Sequence, residues 1–126
     1  MPFKTSGTTA AELILQLARS VVSGDALRAR SIAMELAEHD LSMTLLPVGL
    51  SALELTVAGA LIDLLATRTG QHSPHWSGDV QPSATPYFLV RSAERMPNLR
   101  RQCEAETPDV LRRRNLFAPA NYLTWV

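Results

Sequence analysis

A single cysteine, Cys103, stands in 126 residues. No internal disulfide can staple the chain, and a lone thiol fits a reducing compartment better than a secreted scaffold. Net charge is missing as well, since twelve basic residues offset twelve acidic ones. A neutral molecule lacks the summed field that concentrates a protein on DNA, RNA or anionic membrane. The most apolar stretch, 48–66, is interrupted by Glu54 and Asp63, which argues against a membrane span. No apolar segment of signal-peptide length follows Lys4. The setting these absences predict is soluble and cytoplasmic. Also missing are a Gly-rich phosphate loop, an HExxH pair and a GxSxG elbow, so an enzyme is the weaker class.

Aromatic residues are absent between Phe3 and Trp76: six of the seven lie at position 76 or later, and six of the eight prolines at 74 or later. The chain changes character near residue 70. Its charge is divided too. Residues 1–90 hold five basic against eight acidic groups, minus three, while residues 91–126 hold seven arginines against four carboxylates, plus three. The length fits one domain with a proper core. Its parts are a helical core over 9–70, a loop and extended segment over 71–90, and short helices with an Arg/aromatic tail over 91–126.

Within the core, Thr9 and Glu12 read as a capping box opening a helix to about residue 22. Its apolar residues Leu13, Ile14, Leu17, Ala18 and Val21 recur at three and four. Ser23-Gly24-Asp25 stops that helix and caps a second one across 25–40, with Ala26, Ala29, Ile32, Ala33, Leu36 and Ala37 on one side. Small residues there permit close packing. Ser51 and Glu54 form another capping box, starting a third helix that Gly70 ends. Apolar residues cover most of its circumference, so it should be the central, most buried element. The piece 41–47 either extends the second helix or forms a separate turn.

Residues 71–86 read as a loop. Residues 87–92 could form a short strand, but with no convincing partner an extended segment over the helices is expected. Pro97 opens a helix that places Leu99 and Cys103 one turn apart. A helix of barely two turns follows, with Thr107 as cap, Pro108 in its first turn, and residues 112–115 as its stop. The fold class predicted is mainly α: a small bundle of three N-terminal helices, with a Pro/aromatic-rich C-terminal part of short helices and extended segments.

The candidate chemistry is sparse. His72 and His75 invite a metal reading, yet zinc needs at least three protein ligands, and His39, Cys103 and scattered carboxylates stand at no recognisable spacing. A solvated loop is the plainer account. Cys103, helically spaced with Leu99, reads as a core residue rather than a nucleophile. Asp63 is the only carboxylate set deep inside an apolar run. The third helix presents Leu, Val and Ala where a groove reader needs Arg, Asn, Gln or Ser, which argues against DNA readout.

Arg112, Arg113 and Arg114 spread over about 200° of a helix, so they cannot share one face and some must be structural. They can contact a partner or match the acidic remainder of the chain internally. The apolar residues after them, Leu116, Phe117, Tyr122, Leu123, Trp125 and Val126, can fold back over the aliphatic helices or anchor on another protein. The fold-back has the edge, because the helices carry no large side chains of their own to complete a cover.

The order of Trp76, Pro86 to Phe88, Leu99-Arg100 and Pro108 to Phe117 resembles the C-terminal block of a group of uncharacterised small bacterial proteins over residues 76–123. The resemblance implies no established activity. The layout of helices plus tail is also similar to that of toxin-neutralising antitoxins and adaptors. The function expected is therefore a non-enzymatic protein–protein interaction or self-associating module. Its expected partner-binding residues are Arg112, Arg113, Arg114, Phe117, Tyr122 and Trp125, its partner another protein or a second copy in a homodimer. It needs no cofactor, metal or membrane, and nucleic acid is disfavoured. Two alternatives are a small metal- or ligand-binding domain or enzyme using His72 and His75, and an RNA or single-strand binder in which Tyr122 and Trp125 stack bases beside the arginines.

Overall fold

The structure, a computed structural model, describes residues 9–124. Helix α1, Ala10–Ser23, begins where the Thr9 hydroxyl accepts the Glu12 N–H at 3.2 Å. It ends at Gly24, whose φ of 84° is left-handed backbone that glycine adopts without penalty. Asp25 then accepts the Arg28 N–H and starts α2, Ala26–Leu36. This tight turn lays the two helices side by side, with Leu13, Ile14, Leu17 and Val21 of α1 buried. Ala29 and Ala33 of α2 are fully buried, and their small side chains let the two helix surfaces approach closely.

Helix α2 is shorter than its apolar spacing suggests, ending at Leu36. A separate 3-10 turn, Leu41–Met43, follows. The Gln71 side chain accepts the Leu41 N–H at 2.9 Å, and the Thr44 hydroxyl donates to the Leu41 carbonyl at 2.8 Å. Those long-range and local bonds replace the i to i−4 ladder and turn the chain away from the helix axis.

Helix α3, Ala52–Thr69, opens on the Ser51/Glu54 capping box, with both reciprocal hydrogen bonds formed, and closes on left-handed Gly70. Every residue from Thr56 to Ala66 is buried. It is the central element, and it faces the chain's own core: α1 packs on it, as do a 3-10 turn over His75–Asp79 and a short C-terminal helix described below. One close approach depends on Gly59. A Cβ there would come within 2.9 Å of Val80 Cγ2 and 3.0 Å of Val80 Cβ. Alanine in mid-helix ordinarily stabilises by about 0.5–1 kcal/mol over glycine. At this position the stiff β-branched neighbour must move with its backbone, so we expect Gly59→Ala to destabilise by about 1–3 kcal/mol in urea unfolding. A stabilised variant would show that the Val80 segment does not seat on α3.

The C-terminal part adds β1, Tyr87–Phe88, a 3-10 turn over Arg91–Glu94, α4, Pro97–Glu106, α5, Asp109–Arg112, and β2, Leu116–Phe117. Residues 87–88 are a strand after all. They pair in parallel with β2, Tyr87 opposite Leu116 and Phe88 opposite Phe117. A two-residue partner after a crossover is too short to show any period-two alternation, which is why the segment reads as unpaired in sequence. Helix α5 is a single turn rather than two, and Thr107 does not cap it. The Thr107 hydroxyl instead donates to the Cys103 carbonyl and accepts the Ala118 N–H at 3.2 Å, tying the tail to the end of α4.

The tail folds back through residue 124. Leu111, Leu116, Ala118 and Leu123 belong to the same buried cluster as the three long helices. A smaller cluster gathers Phe88, Ala93 and Cys103 with Leu99 and Phe117. Burial, helped by the charges of Glu106 and Glu104, pushes the Cys103 thiol up from its ordinary value. No helix among the described residues is long and apolar enough to cross a membrane.

Candidate functional site

The charge asymmetry of the sequence is resolved inside the fold. Asp63, buried in the middle of α3, meets Arg114 Nη2 at 2.7 Å and Arg113 Nη2 at 3.3 Å, and accepts from the Ser77 hydroxyl at 2.7 Å. Arg114 also donates to the Ser77 carbonyl at 2.6 Å and the Val110 carbonyl at 3.2 Å. Its side chain is 6% exposed against 62% for Arg113. The arginine triplet thus splits as helical spacing requires: Arg114 lies inside, Arg113 lies at the rim, and Arg112 is in solvent.

The other expected partner contacts are distributed in the same way. Arg112 stacks over Phe117 at 5.9 Å and donates to the Glu104 carbonyl, while Phe117 is half-buried against Phe88 at 5.4 Å between ring centroids. Tyr122 packs on the main core, and burial, reinforced by Tyr87, pushes its phenol up from the ordinary value. Arg68 at the end of α3 donates to the Tyr122 and Ala120 carbonyls, holding the tail by its backbone. Trp125 lies outside the described residues. Arg114, Phe117 and Tyr122 therefore serve the fold, and an RNA platform built on Tyr122 would have to unpack it.

His72 and His75 are exposed, and among the described residues no group of three or more His, Cys, Asp or Glu is placed to hold a metal ion. His39 is buried near the end of α2 with no partner for Nε2.

A surface the sequence reading passed over carries more. Between the Leu41–Met43 turn and α3, the loop 43–48 exposes Met43 and Leu45 at 74%, Leu46 at 50% and Val48 at 82%. Its backbone is nevertheless held from several directions. The Trp76 indole donates to the Thr44 carbonyl at 3.1 Å, Arg19 donates to the Gly49 carbonyl at 2.8 Å, and Thr44 and Pro47 are buried beneath. The anchors face inward and the aliphatic side chains face water. The apolar run 45–50 with its Pro and Gly was the available signal, but connecting residues between helices give no period from which exposure can be read.

Leu46 also lines an open groove of about 630 Å³, whose walls come from Leu53 and Thr56 of α3, from Trp76 and Val80, and from Tyr87 at β1. Three polar side chains of these walls, Thr56, Trp76 and Ser83, are occupied, while the Tyr87 hydroxyl is buried without a partner among the described residues. The Thr56 hydroxyl lies 2.7 Å from the Gln81 carbonyl, and the Ser83 hydroxyl donates to the Thr85 carbonyl at 2.6 Å. Of the lining residues only Asp79 carries a formal charge. The lining contains no histidine, no cysteine and no second carboxylate. What the surface can do is bury apolar matter.

Comparison of the chain with protein-family models, with curated proteins and with solved structures returned no match.

Proposed function

We propose that the chain is a non-enzymatic interaction module that docks an apolar segment of another protein on loop 43–48 and the adjoining groove. The observation that carries this is the loop itself, in which four exposed aliphatic side chains stand on a backbone fixed by hydrogen bonds from Trp76 and Arg19. A flexible apolar loop collapses onto its own protein; one held open presents its apolar area at little ordering cost to a partner. Covering a leucine or valine side chain completely is worth about 1.5–3 kcal/mol, so a few of them supply the centre of an interface. The reading keeps the interaction function expected from the sequence and moves its surface away from the tail, whose Leu116, Phe117, Tyr122 and Leu123 pack in the chain's own clusters.

The double variant Leu45→Asp, Val48→Asp tests it. Both positions are solvent-exposed, so urea unfolding should stay within about 0.5 kcal/mol of the parent. Native mass spectrometry of protein drawn from its host extract should show the parent with a second polypeptide and the variant alone. A parent that is found alone, or a complex that survives both aspartates, refutes the assignment.

A further inference from the structure

We propose that the occupant of the groove is an amphipathic segment of a different protein whose apolar face carries aliphatic anchors and whose flank carries lysine or arginine. The inference rests on the docking reading and adds its charge. Asp79 is exposed in the groove wall, and among the described residues no hydrogen bond or ion pair engages its carboxylate. No lining residue is basic. Two arginines border the groove without lining it: Arg91, whose guanidinium stands 6.0 Å from the Tyr87 ring, and Arg19, which is committed to the Gly49 carbonyl and stands 4.0 Å from Glu54.

The rest of the charge follows the same division. The first ninety residues carry the acidic excess of the chain, and no arginine of the last third lines the groove, although Arg91 stands over its Tyr87 and the Arg114 carbonyl accepts the Ser83 N–H. Several of those arginines are already engaged. Arg114 is paired inside, Arg91 donates to the Val22 carbonyl, and Arg100 stacks on Phe88 at 5.0 Å. A second copy presenting the same face would add a second Asp79 carboxylate to the interface and no basic lining residue to pair with it, which disfavours a two-fold dimer here. An anionic amphiphile meets the same repulsion. A cationic flank is the one charge that leaves neither side unpaired when the apolar centre is covered.

The experiment titrates the full chain with two short synthetic peptides that share leucines at i, i+3, i+4 and i+7 and differ only in flanking lysines or glutamates. Amide and indole shifts of Leu53, Trp76 and Val80 report where they bind. The lysine peptide should bind at the groove about tenfold more tightly than the glutamate peptide at low salt, and the gap should narrow as screening shortens toward about 3 Å at 1 M salt. Asp79→Asn should shrink the ratio to about twofold or less while leaving the shifted residues the same. Equal affinities, tighter binding of the glutamate peptide, or a ratio unchanged in Asp79→Asn overturns the charge assignment and leaves the docking surface standing. Absence of groove shifts with both peptides overturns the docking reading and this inference with it.

Discussion

Replacing Arg114 with alanine should lower the unfolding free energy by about 3–5 kcal/mol, a large share of the 5–15 kcal/mol that holds an ordinary domain together. Asp63 is only 4% exposed and sits in the middle of the most buried helix. Without Arg114 its carboxylate keeps the Ser77 hydroxyl and, at the rim, Arg113 at 3.3 Å. Arg113 is largely in solvent, so its attraction is screened and offsets only part of the loss. The Ser77 and Val110 carbonyls lose a donor at the same time.

Arg114→Lys should not restore the parent stability. An ammonium on a flexible stem cannot hold the planar set of contacts to Asp63, Ser77 and Val110 together. The apolar pair Asp63→Leu, Arg114→Met, by contrast, should recover much of what either single change loses, because an uncompensated buried charge is costlier than no charge at all. Urea unfolding of the parent, Asp63→Leu, Arg114→Met and the double variant closes a double-mutant cycle. A loss below about 1 kcal/mol for Arg114→Ala would show that Asp63 is hydrated and that the pair contributes little.

The same pair marks how far the sequence could be read. Ser51 with Glu54, Asp25, Gly24 and Gly70 announce helix ends because caps and left-handed stops are local chemistry, and each stands where the sequence places it. Asp63 inside an apolar run and an arginine excess in the last third signal that an internal charge match is available. Which arginine turns inward is set by the direction in which the single turn of α5 leaves Pro108, and that is a tertiary outcome. The β1–β2 ladder escapes for a similar reason: its Tyr87 and Leu116 are joined by nothing short-range.

The surface proposed for docking is hidden by composition itself. Met43, Leu45, Leu46 and Val48 have the residue types of a core, yet they are exposed on a segment whose backbone is bonded by Trp76 and flanked by the bond from Arg19 to Gly49, both donors distant in sequence. The tail misleads in the opposite direction. Arg112 to Phe117 has the composition of an interface, yet Leu116 is fully buried and Phe117 half-buried in the chain's own clusters. Composition names what a segment can bury, while the long-range hydrogen bonds decide against what.

Ending the chain at Asp109 should therefore abolish cooperative folding, as the fold-back of the tail over the helices implies. The deletion takes Leu111, Leu116 and Ala118, all fully buried, and Leu123 from the core cluster that also contains α3. Each leucine withdrawn removes about 1.5–3 kcal/mol of burial, and the α3 surface beneath is exposed as well. Arg114 leaves with them, stranding Asp63, and β1 loses the strand it pairs with. These losses together match or exceed the net stability of a domain this size. Far-UV circular dichroism should show reduced helicity with a broad, non-cooperative melt, and a peptide spanning residues 110–124 added in trans should recover part of the helical signal. A sharp transition within a few degrees of the parent would mean that the helices close their own core and that the tail lies on them without contributing to it.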